Sequence, residues 1–359
     1  MSRGNPGLNI DEYLRERLMP VEGAIPHIPG IEMFGNSIPA GTVGGDLFEY
    51  INFQQRYDIG ARIQQAQRLS KEFLEPTPGG VVRNSVDDHS QWLRMTPGFK
   101  PEMEAEYRFA RSSEQVRVSE ELRNLFSTAG VLLVDAQGHG IISAKIASTV
   151  HDTFHALMLT ELDRYGRTTP MLLGNLNLRL AQSVTARNAL GIIEKEDARE
   201  IATMIYGEIR PGGDFRFANF GHPPPLVFSA EYCKFMNINE SKMARFLALG
   251  LQIPADHPDR RKYYSLNFRQ AEFDSSDLGE ITLMGPGDIL VLYTDGVYDG
   301  SDEHERELLE LVMRDHYREP AKEICNALLD HAVRQDDRLR QGGDAELIDD
   351  KTVVIVKRT

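Results

Sequence analysis

The chain reads Val131-Leu132-Leu133-Val134-Asp135-Ala136-Gln137-Gly138-His139-Gly140 where an apolar run ends abruptly in an acidic, glycine-rich turn. The run Val131–Val134 predicts a buried strand, and the glycines let the backbone turn tightly and approach a ligand. Asp135 therefore lies at the end of a predicted strand. Its carboxylate can bind a metal ion there, or it can cap the helix predicted from Ile141.

Three other segments, far apart in the chain, also place acids at turns that adjoin predicted strands. They are Gly44-Gly45-Asp46, Thr294-Asp295-Gly296 and Asp349-Asp350-Lys351-Thr352. Acids at strand ends can converge, and converging carboxylates repel one another unless hard cations that prefer oxygen ligands lie between them. Each acid alone could be an ordinary turn residue. Together the four segments predict a site for Mg²⁺ or Mn²⁺.

The bulk composition predicts a globular enzyme in the cytoplasm. The chain has 359 residues, 26% of them charged, and two cysteines without a metal-type or disulfide-type spacing. We find no apolar run of the roughly 20 residues that a membrane span needs and no secretory signal at the N-terminus, so we expect no membrane association. A net charge of −14 makes nucleic acid an unfavourable partner.

The order of predicted elements favours a layered α+β domain over a doubly wound parallel sheet. Strands are predicted at Ile31–Ile38 and Asp46–Phe53, and the glycine-rich turn between them suggests a hairpin. Three strands between residues 202 and 229 suggest a meander. Helices predicted at Ile141–Leu159 and Pro170–Ser183 would cover a sheet.

The segment from about residue 54 to 129 differs in composition from the rest of the chain. It predicts two polar helices, Ile59–Leu74 and Pro101–Phe126, with few apolar residues. We interpret this segment as an insertion, and the alternative is an ordinary helical part of the core. An insertion between the first two acidic segments could gate the substrate, bind a partner or pair two subunits.

Five segments, taken in order, resemble the motifs of the bacterial SpoIIE/RsbU-type phosphatases, a branch of the metal-dependent protein phosphatase (PPM) family. The resemblance extends from about residue 20 to the C-terminus. It departs from the family pattern at Glu49, where an Asp is usual, and in the segment 54–129. The matching segments are Val43–Tyr50, Asp135–Gly140, Phe217–Leu226, Gly287–Val297 and Asp349–Val354.

The resemblance implies an α/β/β/α sandwich of two antiparallel sheets flanked by helices, the PPM fold, with two Mn²⁺ or Mg²⁺ ions. It implies a phosphatase domain at 20–359, preceded by a switch or docking helix at 1–19. The residues that it assigns to the two ions are Asp46, Asp135, Ala136 through its carbonyl, Asp295, Asp349 and, less favoured, Asp350.

In this assignment Asp135 bridges both ions, Asp46 and the Ala136 carbonyl hold one, and Asp295 with Asp349 holds the other. Two ions about 3.5–4 Å apart can activate a shared water and neutralise charge on the phosphoryl oxygens. His139 could donate a proton to the leaving group or hold an acid in place, and a helix-start histidine without a chemical role is an equal alternative.

The implied activity is hydrolysis of phosphoserine or phosphothreonine in a regulatory protein, in this family often an anti-sigma-factor antagonist. The alternative is a catalytically weak pseudo-phosphatase that keeps the fold for protein binding. Dimerisation of the chain with a second copy is a further expectation, because control of activity must come from another protein, from the insertion or from a homodimer.

Overall fold

The structure is a computed structural model, and it describes most of the chain with several gaps. The helix expected at 1–19 lies outside the described residues, and for Pro101, Pro170 and residues 181–189 the structure describes the backbone alone. The described residues are 25–74, 95, 97–98, 100–138, 140–189, 201–238, 245–251, 278–283, 285–300, 302–343 and 347–359.

The described residues form eleven strands and seven α-helices. The strands are β1 (Ile31–Ile38), β2 (Asp46–Asn52), β3 (Ala129–Ala136), β4 (Ala202–Ile209), β5 (Asp214–Phe220), β6 (Leu226–Ser229), β7 (Lys234–Phe235), β8 (Arg245–Phe246), β9 (Gly279–Thr282), β10 (Ile289–Tyr293) and β11 (Lys351–Arg358). The helices are α1 (Phe53–Tyr57), α2 (Ile59–Leu74), α3 (Pro101–Asn124), α4 (Ile141–Tyr165), α5 (Pro170–Ala189), α6 (Glu303–His316) and α7 (Ala321–Gly342).

The chain divides into two compact units. The first contains the described parts of Met1–Asn52, Ser127–Leu157 and Pro170–Thr359, and the second contains those of Phe53–Phe126 and Met158–Thr169. All the acidic segments predicted to bind metal belong to the first unit.

Two sheets form the centre of the first unit. Sheet I has the order β1-β11-β10-β6-β7, and all its pairs are antiparallel. Sheet II has the order β2-β3-β4-β5-β8, with β9 also paired to β5. Its pairs are antiparallel except for a short parallel pairing of β5 with β8. The expectation of an α+β fold with two antiparallel sheets is confirmed.

Alternation along the strands builds two apolar layers, because successive side chains of a strand point to opposite faces. Val354 and Val356 of β11 pack with Val131 and Leu133 of β3 in the core between the sheets. The alternate β11 residues, such as Ile355, instead pack against α6 and α7 on the outer face of sheet I. Each fully buried aliphatic side chain contributes about 1.5–3 kcal/mol.

Helix α4 covers the outer face of sheet II. Phe154 of α4 contacts Tyr206 of β4 with a ring-centroid distance of 4.9 Å, and both side chains are buried. With α6 and α7 on sheet I, the first unit has the layer order helix, sheet, sheet, helix, which the family resemblance implied. The sequence predicts that α4 and α5 cover a sheet. The contact between Phe154 and Tyr206 confirms this prediction for α4.

Two local pairing predictions are wrong. β1 and β2 do not form a hairpin, because β1 pairs with β11 in sheet I and β2 pairs with β3 in sheet II. The meander continues only from β4 to β5, because β6 crosses to sheet I and pairs with β10. In both cases the turn brings the chain from one sheet to the other, so that each strand buries its apolar face in the shared core.

The second unit is built mainly from α2 and α3. Ser70 and Ser112 meet between them with a hydroxyl–hydroxyl distance of 3.0 Å, and the Arg111 guanidinium lies 5.7 Å from the centre of the Phe73 ring. Pro101 lies at the start of α3, where a helix tolerates proline because that amide has no partner within the helix. The interpretation of residues 54–129 as an insertion stays a prediction.

Candidate functional site

The four acidic segments meet at one edge of the two sheets. Asp46 and Asp135 lie directly opposite each other in the register of β2 and β3. The ends of β10 and β11 are joined by the amide of Thr294, which donates to the carbonyl of Thr352 at 3.1 Å. Asp295 follows the first of these threonines, and the adjacent acids Asp349 and Asp350 precede the second.

Asp46 links the two sheets through one carboxylate oxygen. Its Oδ2 accepts hydrogen bonds from the hydroxyls of Thr294 and Thr352, each at 2.7 Å. Thr352 also contacts the Ser37 hydroxyl at 2.9 Å. These bonds fix the Asp46 side chain at the inner edge of sheet II, facing sheet I.

Asp350 holds the glycine-rich turn before β2. Its two carboxylate oxygens accept the backbone amides of Ala40, at 2.7 Å, and of Gly45. A Cβ added to Gly44 would lie 2.5 Å from the Asp350 carboxylate, so only glycine fits there without displacement. Because both its oxygens are engaged by backbone, Asp350 shapes the turn that presents Asp46.

The backbone carbonyl of Asp349 is fixed by a hydrogen bond from a buried lysine. The ammonium group of buried Lys351 donates to the Asp349 carbonyl at 2.8 Å and pairs with Asp336 of α7 at the same distance. The Asp349 carboxylate accepts the amide of Asp350 at 2.8 Å. The buried ion pair thus orients the acid beside Asp295.

Exposure increases across the five acids, here named the acidic cleft, from a buried end, its base, to a solvent-exposed end, its mouth. Asp46 and Asp350 are buried, Asp135 and Asp349 are half-buried, and Asp295 is exposed. Burial first, then the charge of Asp135, raises the pKa of Asp46 well above its ordinary value, although the two threonine bonds oppose this.

The acids in the middle and at the mouth of the cleft also resist ionisation together. Burial, followed by the charges of Asp295, Asp349 and Asp350, raises the pKa of Asp135 to about 7. Loss of hydration and the charge of Asp349 raise the pKa of Asp295 as well. These shifts are the electrostatic signature of negative charges forced into one place.

A buried polar chain supports Asp135 from within sheet II. Thr203 lies opposite Asp135 in the β3–β4 register and hydrogen bonds to its carboxylate. Nδ1 of buried His222 lies 2.8 Å from the Thr203 hydroxyl. Burial lowers the pKa of His222 to about 3, so the ring is neutral, and its hydrogen bond to Thr203 links it through that hydroxyl to Asp135.

The remaining predicted site residues are Ala136 and His139. Ala136 is buried beside the glycine turn, and its carbonyl lies 2.7 Å from where a Cβ on Gly45 would be. His139 lies outside the described residues. The sequence alone predicts no role for Thr294, Thr352, Thr203 or His222, although the first two stand next to the acids in the motifs.

The donor set of the cleft fits hard divalent cations. Five carboxylates and a nearby backbone carbonyl are oxygen ligands, which Mg²⁺ and Mn²⁺ prefer. Two or more positive charges between the acids would remove the repulsion that helps to raise the pKa values of Asp46, Asp135 and Asp295. The arrangement can therefore bind metal ions and, with them, a phosphate group that reaches the open mouth.

Fold and site together define a class: a helix–sheet–sheet–helix domain with an acidic cleft at one edge of the sheets. The family model described as "Stage II sporulation protein E (SpoIIE)" matches residues 127–266 and 276–359. The match covers more than half of the chain. The protein therefore belongs to the SpoIIE family, the SpoIIE-type branch of the metal-dependent protein phosphatases.

Several solved structures resemble this chain at low identity. One contains the RsbU and RsbW domains of Rv1364c from Mycobacterium tuberculosis (15% identity, TM-score 0.49, covering 94% of this chain and 63% of that one). A second contains the PP2C phosphatase domain and a fragment of the regulatory domain of SpoIIE from Bacillus subtilis (13%, 0.47, 92% and 64%). A third is the SiaA-PP2C domain of Pseudomonas aeruginosa (13%, 0.45, 91% and 84%).

This chain thus corresponds to less than two thirds of the length of the first two structures. A comparison with curated proteins finds no match. Among the helices that the structure describes, none combines the length and apolar character required to cross a bilayer.

Proposed function

We propose that this protein is a metal-dependent serine/threonine phosphatase that hydrolyses a phosphorylated regulatory protein. The observation that supports the proposal most directly is the convergence of acids from four distant segments on one cleft, where burial and neighbouring charges raise the pKa values of Asp46, Asp135 and Asp295. Such an arrangement is costly in a fold unless the acids serve a purpose, and holding cations is the purpose that carboxylates at this density fit best.

We assign the acids to the ions as the family resemblance implies, and the interactions among the acids support the assignment. Asp135, which interacts with Asp46 on one side and with Asp295 and Asp349 on the other, is the proposed bridge. Asp46 and the Ala136 carbonyl would hold one ion, and Asp295 with Asp349 the other. We favour Asp349 over Asp350, because both carboxylate oxygens of Asp350 already accept backbone amides.

When bound, two Mn²⁺ or Mg²⁺ ions would supply an activated water and neutralise charge on the phosphoryl oxygens. The chain's own contribution is to position these acids through Thr294, Thr352 and Thr203 and to keep the base of the cleft closed to solvent. The open mouth at Asp295 leaves room for a phosphorylated side chain to enter. His139 is a candidate proton donor to the leaving group.

The first test is hydrolysis of p-nitrophenyl phosphate and of a phosphoserine peptide with Mn²⁺, Mg²⁺ or EDTA. Asp135→Asn should lower the rate about 1,000-fold, because several kcal/mol of transition-state stabilisation depends on the ions. Asp337→Asn is the matched control, since Asp337 is an exposed acid on α7 paired with Arg340. Its rate should equal that of the unaltered protein.

Absence of hydrolysis with every divalent metal, in a folded protein, would contradict the proposal and favour a pseudo-phosphatase that binds partners. Hydrolysis that persists unchanged in EDTA or in Asp135→Asn would contradict the metal-dependent mechanism. Either result is read from purified protein, so neither depends on knowing the natural substrate.

The natural substrate we propose is an anti-sigma-factor antagonist of a partner-switching pathway in the cytoplasm, as the family resemblance implies. A phosphoproteome comparison between wild type and an Asp135→Asn strain should show one phosphosite that accumulates in the mutant. We also propose that the chain forms a homodimer, which light scattering on a sizing column measures. Nucleic acid and membranes are not proposed partners.

A further inference from the structure

A second group of metal-ligating side chains lies on the opposite face of sheet II from the acidic cleft. Phe48 and Tyr50 of β2 point into the core between the sheets, and Asp46 shares their side of the strand. Glu49 therefore points to the outer face, toward α4. There it meets His151 and His155, and all three residues belong to the first unit.

The two histidines converge on one oxygen of the glutamate. Nε2 of His151 lies 2.9 Å from Glu49 Oε2, and Nε2 of His155 lies 2.6 Å from the same atom. The histidines are four residues apart, so one turn of α4 places both rings on the same side of the helix. Their ring centroids are 4.4 Å apart, and the candidate ligand atoms all lie within 4.8 Å of one another.

These distances suit a small transition-metal ion. Zinc binds imidazole nitrogen and carboxylate oxygen at about 2.0–2.2 Å, so two ligands of a tetrahedral ion are about 3.3 Å apart. To reach that spacing, each histidine nitrogen would have to move less than about 1 Å away from Glu49 Oε2. Two histidines and a glutamate form one of the sets that proteins use for zinc with a water in the fourth position.

Neighbouring groups favour the protonation states that these three side chains need in order to bind a metal ion. Nδ1 of His151 lies 3.2 Å from the Asp152 carboxylate, an outer partner that would hold the proton on Nδ1 once a metal ion takes the place of the proton on Nε2. The hydrogen bonds of both histidine rings to one oxygen of Glu49 favour the ionised form of its carboxyl group. The carboxylate is thus the anion that a cation requires.

We propose that Glu49, His151 and His155 bind one divalent transition-metal ion of the zinc class, separate from the ions of the acidic cleft. Imidazole ligands favour zinc, cobalt, nickel or copper over magnesium, whereas the all-oxygen cleft favours magnesium or manganese. The ion would tie β2, three residues beyond Asp46, to the helix that follows the Asp135 turn. The inference does not depend on phosphatase activity.

The test is a titration of the full chain with Co²⁺, a spectroscopic substitute for zinc, in excess Mg²⁺ that occupies the cleft. Four-coordinate cobalt with nitrogen ligands absorbs visible light far more strongly than six-coordinate cobalt with oxygen ligands. We expect an intense band that saturates at one equivalent and disappears when Zn²⁺ is added. His151→Gln and His155→Gln should each weaken binding about 100-fold or more.

His316→Gln is the matched control, because His316 also contacts a glutamate, Glu319, at 3.0 Å but on an exposed surface. It should bind cobalt like the unaltered protein. Failure of the unaltered protein to give the intense band would overturn the proposal, as would a band that persists in the double variant of His151 and His155. Circular dichroism of each variant checks folding, and the result with the unaltered chain needs no variant.

Discussion

At the scale of single residues, the acids of the cleft were predictable and the groups that position them were not. Asp135 and Asp295 are marked by their place between an apolar run and a glycine. No local pattern identifies Thr294 as a site residue, because its role is a hydrogen bond to Asp46, which lies 248 residues away in the chain. A hydroxyl has many possible partners, and only the paired sheets reveal which one it bonds.

Replacement of Thr352 by valine should weaken metal binding without removing a ligand. The substitution keeps the shape of the buried side chain but removes one of the two hydroxyl bonds to Asp46. Partners that orient metal ligands typically contribute 10–100-fold in metal affinity. We therefore expect the Mn²⁺ concentration for half-maximal phosphatase activity to rise by about that factor.

Thr282→Val is the matched control for this experiment. Thr282 also donates to an aspartate, Asp214 at 2.9 Å, but on the exposed side of β9 and β5. Its Mn²⁺ requirement should be that of wild type. If Thr352→Val also left the requirement unchanged, the bond to Asp46 would have no part in metal binding.

At the scale of elements, strand positions were predicted better than strand partners. The bounds predicted for Ile31–Ile38 and Ile289–Tyr293 agree with the structure, because local apolar patterns determine them. The β1–β2 hairpin prediction failed, since a glycine-rich turn allows a tight reversal but does not require the flanking strands to pair. Here Gly44 and Gly45 bring the backbone close to Asp350.

The turn between β1 and β2 offers a direct test of that close approach. Gly44→Ala places a methyl group 2.5 Å from the Asp350 carboxylate, which must move and release the amides that it holds. Overpacking of this kind costs about 1–3 kcal/mol. We expect a lower unfolding midpoint and a several-fold higher Mn²⁺ requirement.

Gly41→Ala, in the same turn, should change neither quantity, since its added Cβ has open space within 4 Å. Unfolding in urea and Mn²⁺-dependent hydrolysis measure both variants side by side. Equal behaviour of the two alanine variants would show that Asp350 does not require glycine at position 44.

At the scale of the whole molecule, the α+β architecture and the acidic cleft followed from the motifs, whereas the histidine–glutamate cluster did not. The spacing of His151 and His155 is visible in the sequence, but Glu49 comes from a strand about a hundred residues earlier. Only the packing of α4 on sheet II brings the three together. Long-range contacts of this kind cannot be obtained from local periodicity.

The stability of the metal-free protein should depend on pH through the cleft. Folding raises the pKa of Asp135 from its ordinary value of 3.8 to about 7, so the folded state binds more protons between these values. The stabilisation is therefore present at low pH and is lost as the pH rises through about 7. One pKa unit corresponds to about 1.4 kcal/mol, which predicts a loss of a few kcal/mol.

Because burial of His222 changes stability in the opposite direction between about pH 3 and 6.5, the measurement compares wild type with Asp135→Asn. In EDTA, the free energy of unfolding of wild type relative to this variant should fall between pH 5 and pH 8. Saturating Mn²⁺ should remove that fall in wild type. A difference that stays constant with pH would mean that Asp135 is not held in a repulsive site.

The position of β11 has a consequence for biosynthesis. This strand lies between β1 and β10 in sheet I, and its Thr352 bonds to Ser37, 315 residues earlier. A nascent chain on the ribosome has β1 and β10 exposed long before the strand that joins them emerges. Asp349 also joins the other acids only after this point, and a chain stalled earlier would leave two unpaired strand edges for chaperones to shield.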